Sequence, residues 1–110
     1  MPGKFLAEFE LYVMLAIAQL GEYAYGAAVR REIEDRTGRP VSIGALYATL
    51  ARLEAKGMLR TRTARPEPGQ PGRPKRFSRL TPQGVEALRH STTMLTRMMR
   101  GLRWADEGRK

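Results

Sequence analysis

His90 is the only histidine, and it is followed directly by Ser91, an adjacency that could suggest a base beside its nucleophile. Both fall in a helical stretch, where sequence neighbours point about 100° apart, so they cannot pair with each other. The chain has no cysteine, which excludes thiolate zinc sites, cysteine nucleophiles and disulfide scaffolds. One histidine supplies too few nitrogen ligands for a histidine-rich metal site. No glycine-rich phosphate loop or paired-carboxylate site stands out. Glu32, Glu34 and Asp35 read as a charged solvent face. The residues point to no enzyme, no metal and no cofactor.

What remains is cationic chemistry. Lys plus Arg is 20 against 11 Asp plus Glu, a net charge of +9. The excess is one-sided. Residues 1–55 carry six basic and seven acidic residues, whereas residues 56–110 carry 14 and four. Such a field attracts a polyanion by steering and counterion release. From Arg60 to Arg79, seven of the eight charged residues are basic, with Glu67 the exception. This stretch includes Pro66, Pro68, Gly69, Pro71, Gly72 and Pro74. A proline-glycine loop flanked by cations suits reaching along a phosphate backbone or into a minor groove. Arg73, Lys75 and Arg76 are its expected contacts. Arg60 and Arg62 are weaker candidates, because a strand's basic face can simply be solvated.

These residues need elements to hold them. At 110 residues the chain is one domain that can bury about 65% of its unfolded surface. Leu6 to Leu20 reads as a helix, with Leu6, Phe9, Val13, Ile17 and Leu20 on one face. Leu11, Met14, Leu15 and Ala18 make a second apolar face, which suggests a partner subunit. A second helix runs from about Tyr25 to Thr37, with Val29 and Ile33 buried and charged near-neighbours outside. A third begins at the N-cap Ser42 and runs to about Lys56. Its buried stripe is expected to be Ile43, Leu46, Leu50 and Leu53. Met58 to Thr63 alternates as a strand, residues 64–74 form a loop, and Lys75 to Leu80 returns as a second strand. Thr81-Pro82 opens the last helix. Its seam, Val85, Leu88, Thr92, Leu95, Met99 and Leu102, is near-heptad and outruns the core of so small a domain. Thr92 should weaken that seam and fix its register.

The order is three helices, a basic hairpin and one long helix. The expected fold is therefore mainly α with a small β-hairpin: a winged helix-turn-helix plus a C-terminal dimerisation helix. Residues 1–80 form the DNA-binding part, 81–104 the dimerisation helix of the same compact unit, and 105–110 a polar tail. In this arrangement the third helix enters the major groove and the wing touches backbone or minor groove. Gly44, Ala45, Ala48 and Thr49 are the base-facing candidates, Thr49 through a base edge or a thymine methyl. Ser42 can meet a phosphate through its hydroxyl or the neighbouring amides. The Tyr47 ring is read as core, with a hydroxyl that could reach a phosphate. Arg52 is expected on a phosphate at the groove edge. Leu11 and Leu15 join Val85, Leu88, Thr92, Leu95, Met99 and Leu102 in the dimer interface. Phe9, Met14 and Trp104 could line a cleft that stacks a flat ligand.

The runs EFELYVMLAIAQLGEYAYGAAVRREIEDRTGRPVS, IGALYATLARLEAKGMLRTR and GRPKRFSRLTPQGVEAL span most of residues 6–90. They resemble the PadR-like transcriptional regulators, in the short subfamily with one helix after the wing. The chain departs from the family at Phe77-Ser78, where two aromatics are frequent. The resemblance implies a homodimeric winged-helix repressor released by a small aromatic or drug-like ligand. An architectural DNA-coating protein with little sequence preference is the alternative. The expected partners are double-stranded DNA carrying an inverted repeat, a second copy of the chain and a small aromatic effector. No apolar run is long enough for a bilayer, and Met1-Pro2-Gly3-Lys4 lacks the order of a signal peptide. A cytoplasmic location is expected.

Overall fold

The computed structural model describes residues 6–65, 68, 69, 72 and 74–104. Helix α1 (Glu8–Leu20) leads through a 3₁₀ turn at Gly21–Tyr23 into α2 (Gly26–Thr37) and α3 (Ile43–Ala55). Strands β1 (Leu59–Ala64) and β2 (Lys75–Leu80) form an antiparallel hairpin, and α4 (Pro82–Met99) closes the order. This is a winged helix-turn-helix followed by one helix.

Helix α1 begins at Glu8 instead of Leu6. The Ala7 backbone is extended, and its N–H donates to Glu10 Oε1 at 3.1 Å, which ties off the helix start. Helix α1 is the central element, packed by α2, α3, β2 and α4. That surround covers much of its second apolar face. Leu11 and Met14 are buried inside the single chain beside Val13 and Ile17, whereas Leu15 is partly exposed and Ala18 exposed. Val29 and Ile33 fill the core from α2, as their spacing predicts. Outside, the i,i+4 pairs Arg30–Glu34 and Glu32–Arg36 form. Glu34 is more than a solvent charge, because it accepts the Val41 N–H at 2.8 Å and so pins the α2–α3 connection.

The buried stripe of α3 is Leu46, Thr49 and Leu53, with Leu50 partly buried. Ile43 is not part of it, contrary to expectation. The stripe follows the side of α3 that faces α1, where Thr49 bonds to an arginine held by Glu10. Ile43, at the first helical position, overhangs that ground.

Gly57 (φ 80°) turns the chain from α3 into β1, a backbone conformation that favours glycine. The hairpin register runs from Leu59 opposite Leu80 to Ala64 opposite Lys75. Along its outer edge Ser78 N–H donates to Ala24 O at 2.8 Å and Tyr25 forms an isolated bridge with Phe77. Residues 56–58 and 81–84 then lock the hairpin base to α4. Thr81 Oγ accepts the Gly84 N–H at 3.0 Å as N-cap and donates to Gly57 O at 2.6 Å. Thr81 N–H donates to Met58 O at 3.0 Å. A Cβ on Gly84 would lie 2.1 Å from that same Met58 oxygen. Among the described residues, no helix is long and apolar enough to cross a membrane.

Candidate nucleic-acid interface

Helix α3 starts where Ser42 Oγ accepts the Ala45 N–H at 3.0 Å. Ser42, Gly44, Ala45 and Ala48 are exposed together along its outer side. Thr49 is not with them. It is only 2% exposed and accepts a hydrogen bond from Arg52 Nη2 at 3.1 Å, so it cannot meet a base edge. Tyr47 is also placed differently from expectation. Its ring is half exposed, with the hydroxyl against Gly26, the first residue of α2. The absence of a side chain at Gly26 is what lets the ring lie there. Ile43, read from the sequence as core, joins the outer side at 54% exposure.

Beside this helix, the wing carries a ladder of aromatic rings and cations. The Tyr25 and Phe77 rings meet edge-on with centroids 5.7 Å apart. Arg62 sits over the Phe77 ring at 4.5 Å, and Lys75 Nζ sits over the Tyr25 ring at 4.3 Å. Arg31 Nη2 donates to the Tyr25 hydroxyl at 3.2 Å. Side chains of paired residues share a face, so Arg60, Arg62, Lys75 and Arg79 lie with Phe77. Arg76, paired with Thr63, points to the opposite face. Lys75 and Arg76 are both exposed but do not present one surface. Arg73 lies outside the described residues. Ser78, where the family often has a second aromatic, is buried, and its N–H donates to Ala24 O.

Arg52 is less free than its position on α3 suggests. Its Nε lies 3.4 Å from Glu10 Oε2, and Lys56 Nζ lies 3.1 Å from the same oxygen. Glu10 is buried, while both cations remain about half exposed. Burial by itself raises the Glu10 carboxyl. The Ala7 N–H, the Lys56 ammonium and the Arg52 guanidinium outweigh it and hold the group below the ordinary carboxylate range. The result is an ionic clamp between the start of α1 and the end of α3.

Sequence reasoning missed Glu10, Tyr25 and Arg31. Glu10 stands in the first turn of α1, where an acid suits the helix dipole, and that local role conceals its tertiary one. Tyr25 meets Phe77 across more than fifty residues, and no short-range pattern signals that contact.

The residues read as a dimer seam divide in two. Leu11 and Leu88 are already buried within the chain, and Leu15 and Thr92 are partly buried. Val85, Leu95, Met99 and Leu102 are exposed, Leu95 at 49%. Thr92 Oγ donates to Leu88 O at 3.0 Å, so its hydroxyl is satisfied within the helix. Of the three ligand candidates, Trp104 is 66% exposed and Phe9 partly buried. Met14 is sealed in the core and cannot line an open cleft.

The family model described as Transcriptional regulator PadR-like family matches residues 14–90. A PadR family transcriptional regulator from Eggerthella lenta DSM 2243 is 30% identical, over 86% of this chain and 83% of that one, with a TM-score of 0.63. The protein hsRosR-S4, solved as a complex, is 26% identical over 87% of this chain and 76% of its own, with a TM-score of 0.64. A transcriptional regulator from Clostridium thermocellum shares the fold at 18% identity, over 83% and 85% of the two chains, with a TM-score of 0.67. No curated protein matches the chain.

Proposed function

Since the chain belongs to the PadR-like family of transcriptional regulators, we propose that it is a homodimeric, sequence-specific DNA-binding repressor. In this reading α3 enters the major groove and the wing grips the flanking backbone. The family is one of regulators, and the protein is not an enzyme. The observation that carries the reading is the junction of α3 and the wing. The exposed, uncharged first turns of α3 touch the start of α2 through Tyr47 and Gly26. The neighbouring Tyr25 carries the wing cation Lys75 on its ring. A base-reading surface and a phosphate-binding surface are thus fixed to each other by direct contacts.

Within that reading, Ser42, Gly44, Ala45, Tyr47 and Ala48 face the groove, and Lys75 and Arg76 meet phosphates on either side of the wing. Arg73 joins them from the loop. Arg52 meets a phosphate only with the part of its guanidinium that Glu10 leaves open. Residues 1–80 bind DNA and 81–104 dimerise, as one unit joined by the Thr81–Gly84 lock. The exposed stripe Val85, Leu95, Met99 and Leu102, with Leu15 and Thr92, takes the second copy. Leu11 and Leu88 support it from beneath. A small aromatic effector that stacks on the exposed Trp104 would release the repressor. A cytoplasmic location follows from the proposed task.

The test is selection of duplexes from a random pool with the full chain. The expected winner is an inverted repeat with half-site centres about 34 Å apart, bound by two chains. Recovered duplexes without a common sequence would favour an architectural protein instead.

A further inference from the structure

We propose that Ile43 is a specificity-determining residue that recognises thymine by its 5-methyl group, and that α3 reads sequence by apolar contact instead of bidentate hydrogen bonds. The inference rests on the DNA-binding reading above.

The N-terminal residues of a recognition helix are the ones that reach base edges. Hydrogen-bond readout at those edges uses Arg, Lys, Asn, Gln, Asp or Glu, and each base pair shows its own pattern to them. The exposed residues in the first two turns of α3 are Ile43, Gly44, Ala45, Tyr47 and Ala48. None is an amide, a carboxylate or a cation. Ser42 Oγ accepts the Ala45 N–H as the helix cap, which leaves a single O–H donor there. Thr49, the residue whose chemistry best suits a base edge, is buried. Arg52 is the only cation on α3, stands near its far end and is held by Glu10 and Thr49. Apart from the Ser42 and Tyr47 hydroxyls, hydrogen-bond chemistry is missing where bases would be read, and neither can form a bidentate pair.

What stands there instead is a branched aliphatic side chain, 54% exposed. Nothing in the fold requires it, since Leu46, Thr49 and Leu53 complete the stripe without it. In the major groove one base, thymine, offers a methyl group to such a side chain. Burying one methyl is worth about a fourfold change in affinity.

The experiment uses the full chain and the duplex it selects from a random pool. That duplex is remade with uracil replacing thymine at one position at a time, which keeps the pairing and removes one methyl. Wild type is expected to lose about fourfold at one or two positions in each half-site. Ile43→Ala, which trims an exposed side chain, is expected to bind more weakly and to show no further loss at those positions. Equal binding of wild type to every uracil duplex would overturn the inference. So would an Ile43→Ala protein that loses as much as wild type on the same exchanges. Sensitivity confined to purines lacking N7 would assign readout to hydrogen bonds and overturn it as well. Failure of wild type to select any duplex would remove the DNA-binding reading itself, and that result appears before any base is exchanged.

Discussion

Lys75 and Glu10 are two charges with opposite duties. Lys75 is exposed, stacked on Tyr25 and free to meet a phosphate. Lys75→Ala should weaken binding to all duplexes alike and flatten the salt dependence by roughly 0.9 per lost contact. Anisotropy titrations at several salt concentrations measure it, and an unchanged slope would remove Lys75 from the interface. Glu10 is buried and binds Arg52 of α3 and Lys56 at its C-cap. Glu10→Gln should lower stability at neutral pH by on the order of 1–2 kcal/mol. A carboxyl held below its unfolded value contributes fully above that value and loses the contribution as pH falls through the folded one. Wild type and Glu10→Gln should therefore converge in urea titrations as pH drops below the ordinary carboxylate range. At this scale the sequence was partly legible. The exposure of Gly44, Ala45 and Ala48 could be read from their small size on the side away from Leu46 and Leu53. The exchange of Ile43 and Thr49 could not. Hydrophobicity puts the isoleucine inside, whereas the Glu10–Arg52 clamp gives the threonine a buried partner that only tertiary structure reveals.

The elements were easier to read than the contacts between them. Helix caps at Ser42 and Thr81 and the alternation of β1 are local signals, and each falls where its chemistry places it. The bridge at Ala24–Tyr25 has no such signal, because it covers the edge of β2 more than fifty residues along the chain. The joint between the hairpin base and α4 is equally non-local, although it gives physical sense to the run Thr81-Pro82-Gln83-Gly84. Threonine caps the helix, proline suits its first position and glycine admits the Met58 carbonyl. Gly84→Ala would force a methyl against backbone, and a misfit of this kind costs about 1–3 kcal/mol or more. Its Tm should fall by on the order of 10 °C in a thermal melt. Gly44→Ala, which meets nothing closer than 3.9 Å, is the matched control. Equal melts for the two would show that the α4 joint is loose.

At the scale of the molecule, most of the exposed large apolar side chains among the described residues lie on α4 or just beyond it. Leu95, Met98 and Met99 are exposed along a helix whose described buried residues are Gly84 and Leu88. The long seam was visible in the sequence because its spacing outran the available core. The division of labour along it was not, since burial of Leu88 and Leu11 depends on how α1 sits among four other elements. If the stripe takes a second copy, Leu95→Asp with Met99→Asp should leave the protomer folded and sediment as a monomer. Affinity for a two-half-site duplex should then fall to that of a single half-site. A double variant that stays dimeric would move the interface elsewhere. The central claim is that the α3 surface and the wing together read a particular sequence. The measurement that tests it most directly is the affinity of the full chain, at physiological salt, for its selected duplex against a scrambled duplex of the same composition. A ratio of about 10³ or more is expected for a specific regulator. Equal affinities, with steep salt dependence on both, would contradict the claim and leave only a basic protein that coats DNA.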